Sequence, residues 1–445
     1  MDVTGMALRL MRPHLLVVAA PGGTRARLAV ERATRERGWP AAAAPADTDL
    51  LVACGPLGPG LAAAVDRVWQ QVPAPRARVT VTHAERAEAA LATGRSRLLD
   101  APLQRADALA GLTSPAAASG DGPGKGHSGG GPLQAHDGGH GGGGHGDGEG
   151  GGDDRGHRSG GGHGHGGHGE GMSMPAGLAM ADRAPDRDGL KLDQLHVPLG
   201  PVLPDWPAGL VLHTALQGDV IQDVEVELLD GGLAEDGALV SAGRPFWDEP
   251  WLRALAGERV TRGDAARRRS AAHLDSLARL LGVAGWGDAA QAARRLRDDL
   301  LAGLDQPAAQ ARLARLARRL RRSRTLRWLT DRLGVLDPPR GAEAGPGGSA
   351  GLVGGDVTAR WTAWLQQAAA ALEAVEDDRP LSPDGDLQGP RGPLGPGVWP
   401  SQALLGLLPG LVVGAELAAA RLIVASLDPD PDELVAAGAV AAAHG

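Results

Sequence analysis

Residues 121–171 hold 26 of the chain's 69 glycines and 8 of its 14 histidines. The remainder of that window is mostly Asp, Glu, Ser and Arg, so it offers almost no apolar surface to bury and cannot repay the entropy of ordering its backbone. A 445-residue chain carrying such an insert must build its cores on either side of it. The spacing predicts an N-terminal domain over 12–110, a disordered Gly/His-rich linker over 111–189 and a C-terminal domain over 190–435. As a flexible coil, the Gly/His part spans roughly 40 Å root-mean-square.

The two flanks read differently. Leu15 to Ala20 is a short apolar run closed by Pro21-Gly22-Gly23, the pattern of a strand buried on both faces. Residues 24–37 suit a helix. Asp49 to Gly55 is a second strand, 59–71 a second helix with Leu61, Val65 and Val68 on one face, and Val79 to Thr82 a third strand. Strand–helix alternation predicts a small doubly wound parallel-sheet domain. Beyond the linker, Leu210 to Leu216, Gly218-Asp219 and Val220 to Leu229 predict a β-hairpin. Helices are expected over 264–282, 287–302, 308–333 and 357–376, with one long apolar helix over 401–427. The fold class is therefore multidomain: α/β first, then an α+β unit of β-hairpin plus helical bundle.

Composition removes several functions. The formal net charge of −8 argues against a general nucleic-acid binder. Cys54 is the only cysteine, and one thiol makes neither an internal disulfide nor an iron–sulfur cluster. No basic segment followed by an apolar run and a cleavage site opens the chain. The uncharged run 402–415 contains Pro409 and three glycines and falls short of the ~20 apolar residues of a spanning helix. The expected location is the cytoplasm. Tyr and Asn are absent, and Lys occurs twice against 43 Arg, which reads as codon bias of a GC-rich genome rather than as selection at a site.

Two local features invite a function. His145, His157, His163, His165 and His168, with Asp153, Asp154 and Glu170 beside them, form a weak candidate site for nickel or zinc; the competing reading is a solvated tether. Nickel-insertion GTPases also carry His-rich tracts, but Gly124-Lys125-Gly126-His127 lacks the Ser/Thr and the preceding strand of a P-loop. Nine arginines between Arg312 and Arg332, with Leu313, Leu316 and Leu320 on one face, suit either a membrane-surface or acidic-partner contact or an ordinary amphipathic helix. Cys54 reads as a buried packing group, and His196, His213 and His273 as structural.

Asp49 to Leu57, Val65-Asp66-Arg67-Val68-Trp69 and Val72-Pro73-Ala74-Pro75-Arg76 resemble the B-type subunit of bacterial NADH:quinone oxidoreductase (complex I). Four later segments, in order, resemble the D-type subunit of the same enzyme, a relative of the nickel–iron hydrogenase large subunit. They are Gly200-Pro201 through Leu212 with its hairpin, Ala271-Ala272-His273-Leu274 through Gly282, Pro390-Arg391-Gly392-Pro393-Leu394-Gly395, and Leu404 to Asp428-Pro429. The resemblance implies a fused B-like and D-like peripheral subunit at the inner face of the cell membrane, with the membrane subunits of a complex I-like or ion-pump assembly as partners. It also implies a helical bundle of hydrogenase-large-subunit type, and quinone and NAD binding by the assembly.

The departures from the family pattern bear on chemistry. The four cluster cysteines of the B-type subunit are missing: the corresponding loops read Ala19-Ala20-Pro21-Gly22-Gly23 and Thr82-His83-Ala84-Glu85. The two histidines of the D-type quinone loop are replaced within Val202 to Gly209, and the nickel-binding cysteines of hydrogenases are absent. The expectation is a non-redox subunit with no iron–sulfur cluster and no catalytic residue; the alternatives are an active NADH:quinone oxidoreductase subunit and a His-rich nickel/zinc storage or delivery protein. In the family, the B-type and D-type subunits face each other across the cluster and the quinone. The implied interface residues are thus Pro21, Gly22 and Gly23, with Thr82-His83, on one half. On the other they are Trp206 in the Gly200–Gly209 segment and Arg391 and Gly392 in the Pro-Arg-Gly loop, with Leu203, Trp206 and Pro207 closing the former quinone pocket.

Overall fold

The structure, a computed structural model, describes residues 12–113, 182–185, 191–229, 244–336, 354–382, 387–394 and 399–434. The Gly/His tract lies outside them. In the N-terminal half, β1 (Leu15–Ala19), β2 (Leu50–Cys54) and β3 (Ala77–Val81) form a parallel sheet in that order. Every residue of β2 is buried, as its unbroken apolar run predicts for a central strand. Helix α1 (Thr24–Glu36) packs with Leu15, Leu50, Val52 and Val79 on one face, together with α3 (Ala87–Leu99); α2 (Pro59–Gln71) packs with Leu16, Val18 and Leu51 on the other. A helix α4 (Ala101–Thr113) closes this half. Helices cover both faces, but the strand order runs 1-2-3 without reversal, so these three strands contain no topological switch point.

Past the linker, β4 (Asp182–Pro185), β5 (Lys191–Leu199), β6 (Leu210–Gln217) and β7 (Val220–Leu228) form an antiparallel sheet. The expected hairpin is β6–β7, turning at Gly218 with φ 63°. Its partner β5 was not legible as a strand, because Asp193, Gln194 and His196 interrupt its apolar residues. The helical region comprises α5 (Glu249–Leu255), α6 (Arg262–Val283), α7 (Gly287–Leu301), α8 (Gln306–Arg321), α9 (Arg324–Thr330), α10 (Val357–Leu372), α11 (Pro400–Val412) and α12 (Leu417–Leu427). Leu212, Leu216 and Ile221 of the hairpin share one hydrophobic core with Leu274, Leu277 and Leu281 of α6 and Leu422 and Ile423 of α12.

Two helices expected to be continuous are broken. The basic stretch splits at Ser323, whose hydroxyl accepts from the Leu326 amide (3.1 Å) and caps α9. The apolar stretch 401–427 splits between α11 and α12, where Gly414 takes φ 84°. The amide of Gly414 donates to the Ile221 carbonyl (2.7 Å), the amide of Ile221 donates to Ala415 (2.9 Å), and that of Leu417 donates to Asp219 (3.1 Å). The break is a docking point for the tip of the β6–β7 hairpin, so a tertiary contact overrides an uninterrupted helical pattern.

The described residues before the linker and those after it form one compact unit. Val202 packs with Leu16, Val18 and Leu51, and Leu28 of α1 packs with Phe246, Trp247, Ala271 and Ala272. The loop after β1 is tight. A Cβ on Gly23 would lie 2.2 Å from the Cys54 carbonyl oxygen and 2.8 Å from that of Ala20, both backbone atoms that cannot turn aside. Gly23 thus lets the ends of β1 and β2 close together, and its amide donates to the Ala20 carbonyl (2.8 Å). Gly23→Ala should lower stability by about 2 kcal/mol or more, through overpacking against backbone, as read from the denaturant midpoint.

Candidate functional site at the junction of the two halves

Helix α1 meets α6 and α7 through charged side chains that sit inside the protein. Arg27 donates twice to Asp275 (Nη1 to Oδ1 3.2 Å, Nη2 to Oδ2 2.7 Å) and once to Glu31 (2.7 Å). Arg297 bonds Glu31 (2.9 Å), Asp298 (2.8 Å) and Asp275. Arg35 pairs with Asp298, and Arg294 with Asp205. Arg297 is 0% and Asp275 1% exposed. Burial alone would raise the Glu31 and Asp275 carboxyls, but the surrounding guanidinium groups outweigh it. Glu31 is held at about 2 by Arg27, Arg297 and Arg294, and Asp275 is held well below the carboxylate range by Arg27 and Arg297. Four arginines (27, 35, 294, 297) face four carboxylates (31, 205, 275, 298), so this lattice is charge-balanced.

The second cluster is not balanced. Asp428, at the left-handed C-cap of α12 (φ 48°), accepts from Arg391 (2.6 Å) and the Ser276 hydroxyl (2.6 Å), and pairs with Arg279. Just beyond it, Asp430 takes the other end of Arg391 (3.4 Å), Asp432 accepts from the Gly22 amide (2.6 Å), and Glu433 accepts from the Ser401 amide (2.9 Å). Asp248, preceding α5, is 1% exposed, and neither of its carboxylate oxygens has a partner; Glu433 Oε1 also lacks one. Five carboxylates therefore share two arginines. Burial, and then the neighbouring negative charges, push Asp248 and Asp432 up to about 7 and raise Glu433 and Asp430 as well. The cluster retains protons that isolated carboxyls would release by pH 5. Nearby His273 is driven down to about 3 by burial and by Arg269 and Arg391, so it stays neutral.

Between the two clusters lies a cavity of about 130 Å³, lined among others by Arg27, Arg294, Arg391, Asp430, Leu203 and Trp206. That is below the several hundred Å³ of a usual small-molecule pocket. Trp206 is fixed by its indole N–H to the Leu210 carbonyl (2.7 Å).

The residues expected at an interface divide as follows. Pro21 packs on Gly209 of the other half, Gly22 bonds Asp432, and Trp206 and Arg391 line the cavity. Gly23 instead packs under Cys54, and the Gly392 carbonyl accepts from Gly389 (2.7 Å) within its own loop. Among the described residues, no hydrogen bond or ion pair links Thr82 or His83 to the C-terminal half. Leu203 and Trp206 border the cavity rather than filling it. Cys54 is fully buried, and burial pushes its thiol well above the ordinary range. The histidines His145, His157, His163, His165 and His168 lie outside the described residues. Sequence reasoning missed Arg27, Glu31, Asp275 and Arg297; the available signal was an acid or arginine in the apolar register of a helix, as in Leu274-Asp275-Ser276-Leu277 and Leu296-Arg297.

No protein-family model and no curated protein matches the chain. Among solved structures, it is similar to a chain in the structure of the membrane-bound sulfane sulfur reductase (MBS), an archaeal respiratory membrane complex. The identity is 15% and the TM-score 0.41, over 54% of this chain and 98% of that one. At that TM-score no residue of the junction takes a role from it.

Asp275→Asn strands Arg27 and Arg297 without their shared carboxylate and should cost about 3–5 kcal/mol, read from a urea midpoint. Asp248→Asn should do the opposite. Because Asp248 holds its proton up to about pH 7 when folded and only to about 4 when unfolded, the wild-type chain loses stability as pH rises through that window. The variant should match wild type below about pH 4, pull ahead as pH rises through the window and exceed it at pH 8 by ~2 kcal/mol or more, seen as diverging melting temperatures.

Proposed function

We propose that this chain is a non-redox peripheral subunit of a complex I-like membrane assembly, in which a B-like half and a D-like half of hydrogenase-large-subunit type are fused by the Gly/His linker. Its partners are the membrane subunits of that assembly, at the inner face of the membrane. Its task is structural coupling rather than electron transfer. The reading draws on the motif resemblance and on one structural observation: the loop after β1, where the B-type family carries cluster cysteines, is bonded through Gly22 directly to Asp432 in the segment after α12.

The residues at the junction do not fit the family's cofactors. A four-iron cluster needs several thiolates, and the chain has one cysteine, buried and disfavoured as a thiolate. A quinone headgroup needs a cavity with a free donor. Here the arginines nearest the cavity are committed to Asp275, Asp205 and Asp428. Among the described residues no helix is long and apolar enough to cross a membrane, so attachment runs through partners or through the surface. The histidines of the linker add a weak nickel or zinc affinity that is incidental to this role.

Anaerobic reconstitution of the full chain with iron and sulfide should yield no stoichiometric cluster signal by EPR. A short-chain quinone analogue should show no saturable binding, and affinity purification from native membranes should recover integral membrane subunits. Stoichiometric acid-labile sulfide, or tight quinone binding, would restore the redox alternative.

A further inference from the structure

Away from the junction, α7, α8 and α9 carry a strongly basic surface. Between residues 312 and 332 there are nine arginines and a single acid, Asp331, in a chain whose net charge is −8. Their apolar neighbours Leu313, Leu316, Leu320 and Leu326 are buried, so the amphipathic packing of these helices is already satisfied. The arginines are left exposed on the far side. Arg312, Arg315, Arg319 and Arg322 recur at i, i+3, i+7 and i+10, which places them along one face of α8 and its C-cap.

Arg312, Arg315 and Arg319 also line a groove of about 310 Å³ with Arg295 of α7, over an apolar floor of Ala292, Leu296 and Leu316. No acid lines that groove. Arg312 is paired with Asp299 and Arg319 stacks over the Trp286 ring (4.9 Å). Among the described residues, no ion pair engages Arg295, Arg315, Arg318, Arg321, Arg322 or Arg324. In the next helix, Trp328 is 80% exposed, the most exposed large apolar side chain among the described residues, with Arg324 one turn before it in α9.

We propose that this face docks on an anionic phospholipid bilayer, the arginine groove receiving lipid phosphates and Trp328 entering the headgroup layer. Guanidinium groups match phosphate oxygens bidentately, and their aliphatic stems tolerate the interface. An indole with no partner in the fold has its preferred environment at the boundary between acyl chain and headgroup. An acidic protein partner would also pair the arginines and is an outcome of the test; the exposed indole beside long aliphatic arginine stems fits the headgroup layer of a bilayer. The inference stands on this surface alone and does not rest on the complex I-like reading, since its test uses lipid and no partner subunit.

Vesicle sedimentation of the full chain decides it. Phosphatidylcholine vesicles containing 30% phosphatidylglycerol should bind the protein, pure phosphatidylcholine should not, and raising the salt should release it. Arg315→Gln/Arg318→Gln/Arg322→Gln should weaken partitioning at least tenfold, and Trp328→Ala several-fold. All four residues are exposed, so far-UV circular dichroism and melting temperature should stay at wild-type values. Absence of binding to the anionic vesicles, or unchanged partitioning in either variant, would overturn the proposal. So would release by inorganic phosphate at constant ionic strength, which would assign the groove to a free anion. Preference for polyglutamate over vesicles would overturn it in favour of an acidic protein.

Discussion

Asp275, held between Arg27 and Arg297, is the contact on which the rest of this structure depends. The three charges come from α1, α6 and α7 and are removed from water almost completely. Taking one of them away would leave its partners buried and uncompensated, so the halves are held in a single relative position by geometry as well as by apolar area. Val202, Leu28 and Trp247 add hydrophobic contact across the same junction, but apolar surfaces tolerate sliding and guanidinium–carboxylate forks do not. Registry is the best-attested use of buried ion pairs, and here they register a parallel-sheet half against a helical half.

The neighbouring acid cluster shows what happens when the same junction is not balanced. Asp428 is fully served by Arg391, Arg279 and Ser276, whereas both oxygens of Asp248 and Oε1 of Glu433 are buried without a hydrogen-bond partner. Low dielectric strengthens the repulsion as much as it strengthens the pairs a few residues away. The result is two adjoining regions with opposite pH behaviour. The lattice around Glu31 and Asp275 stabilises the fold above pH 4. The cluster around Asp248 and Asp432 gives up stability progressively as pH rises from about 4 to about 7.

Fold alone assigns no activity. In this chain the loops that the resemblance would load with cofactor residues hold Pro21, Gly22 and Gly23, and these serve the packing of the two halves. Gly22 offers its amide to Asp432, and Gly23 its missing side chain to the Cys54 carbonyl. Of the outward-facing arginines of α8 and α9, Arg315, Arg318, Arg321 and Arg324 engage no ion pair among the described residues.

What the sequence by itself determined is local. Unbroken apolar runs placed β1 and β2, turn chemistry at Gly218 placed the β6–β7 hairpin, and helical periodicity located most of α1, α2, α6, α7, α8 and α10. The single cysteine sets the expectation that no iron–sulfur cluster is bound. Only the tertiary structure decided the break between α11 and α12, because its cause is the hairpin tip at Asp219 and Ile221, some two hundred residues earlier. It alone recruited β5, whose alternation is too polar to stand out until β6 pairs with it. It also decided the junction: Arg27 and Asp275 lie 248 positions apart, and each taken singly reads as an ordinary charged residue on a helix. A short-range pattern reports which face of an element is apolar. Which buried charge answers which is a property of how the elements meet in space.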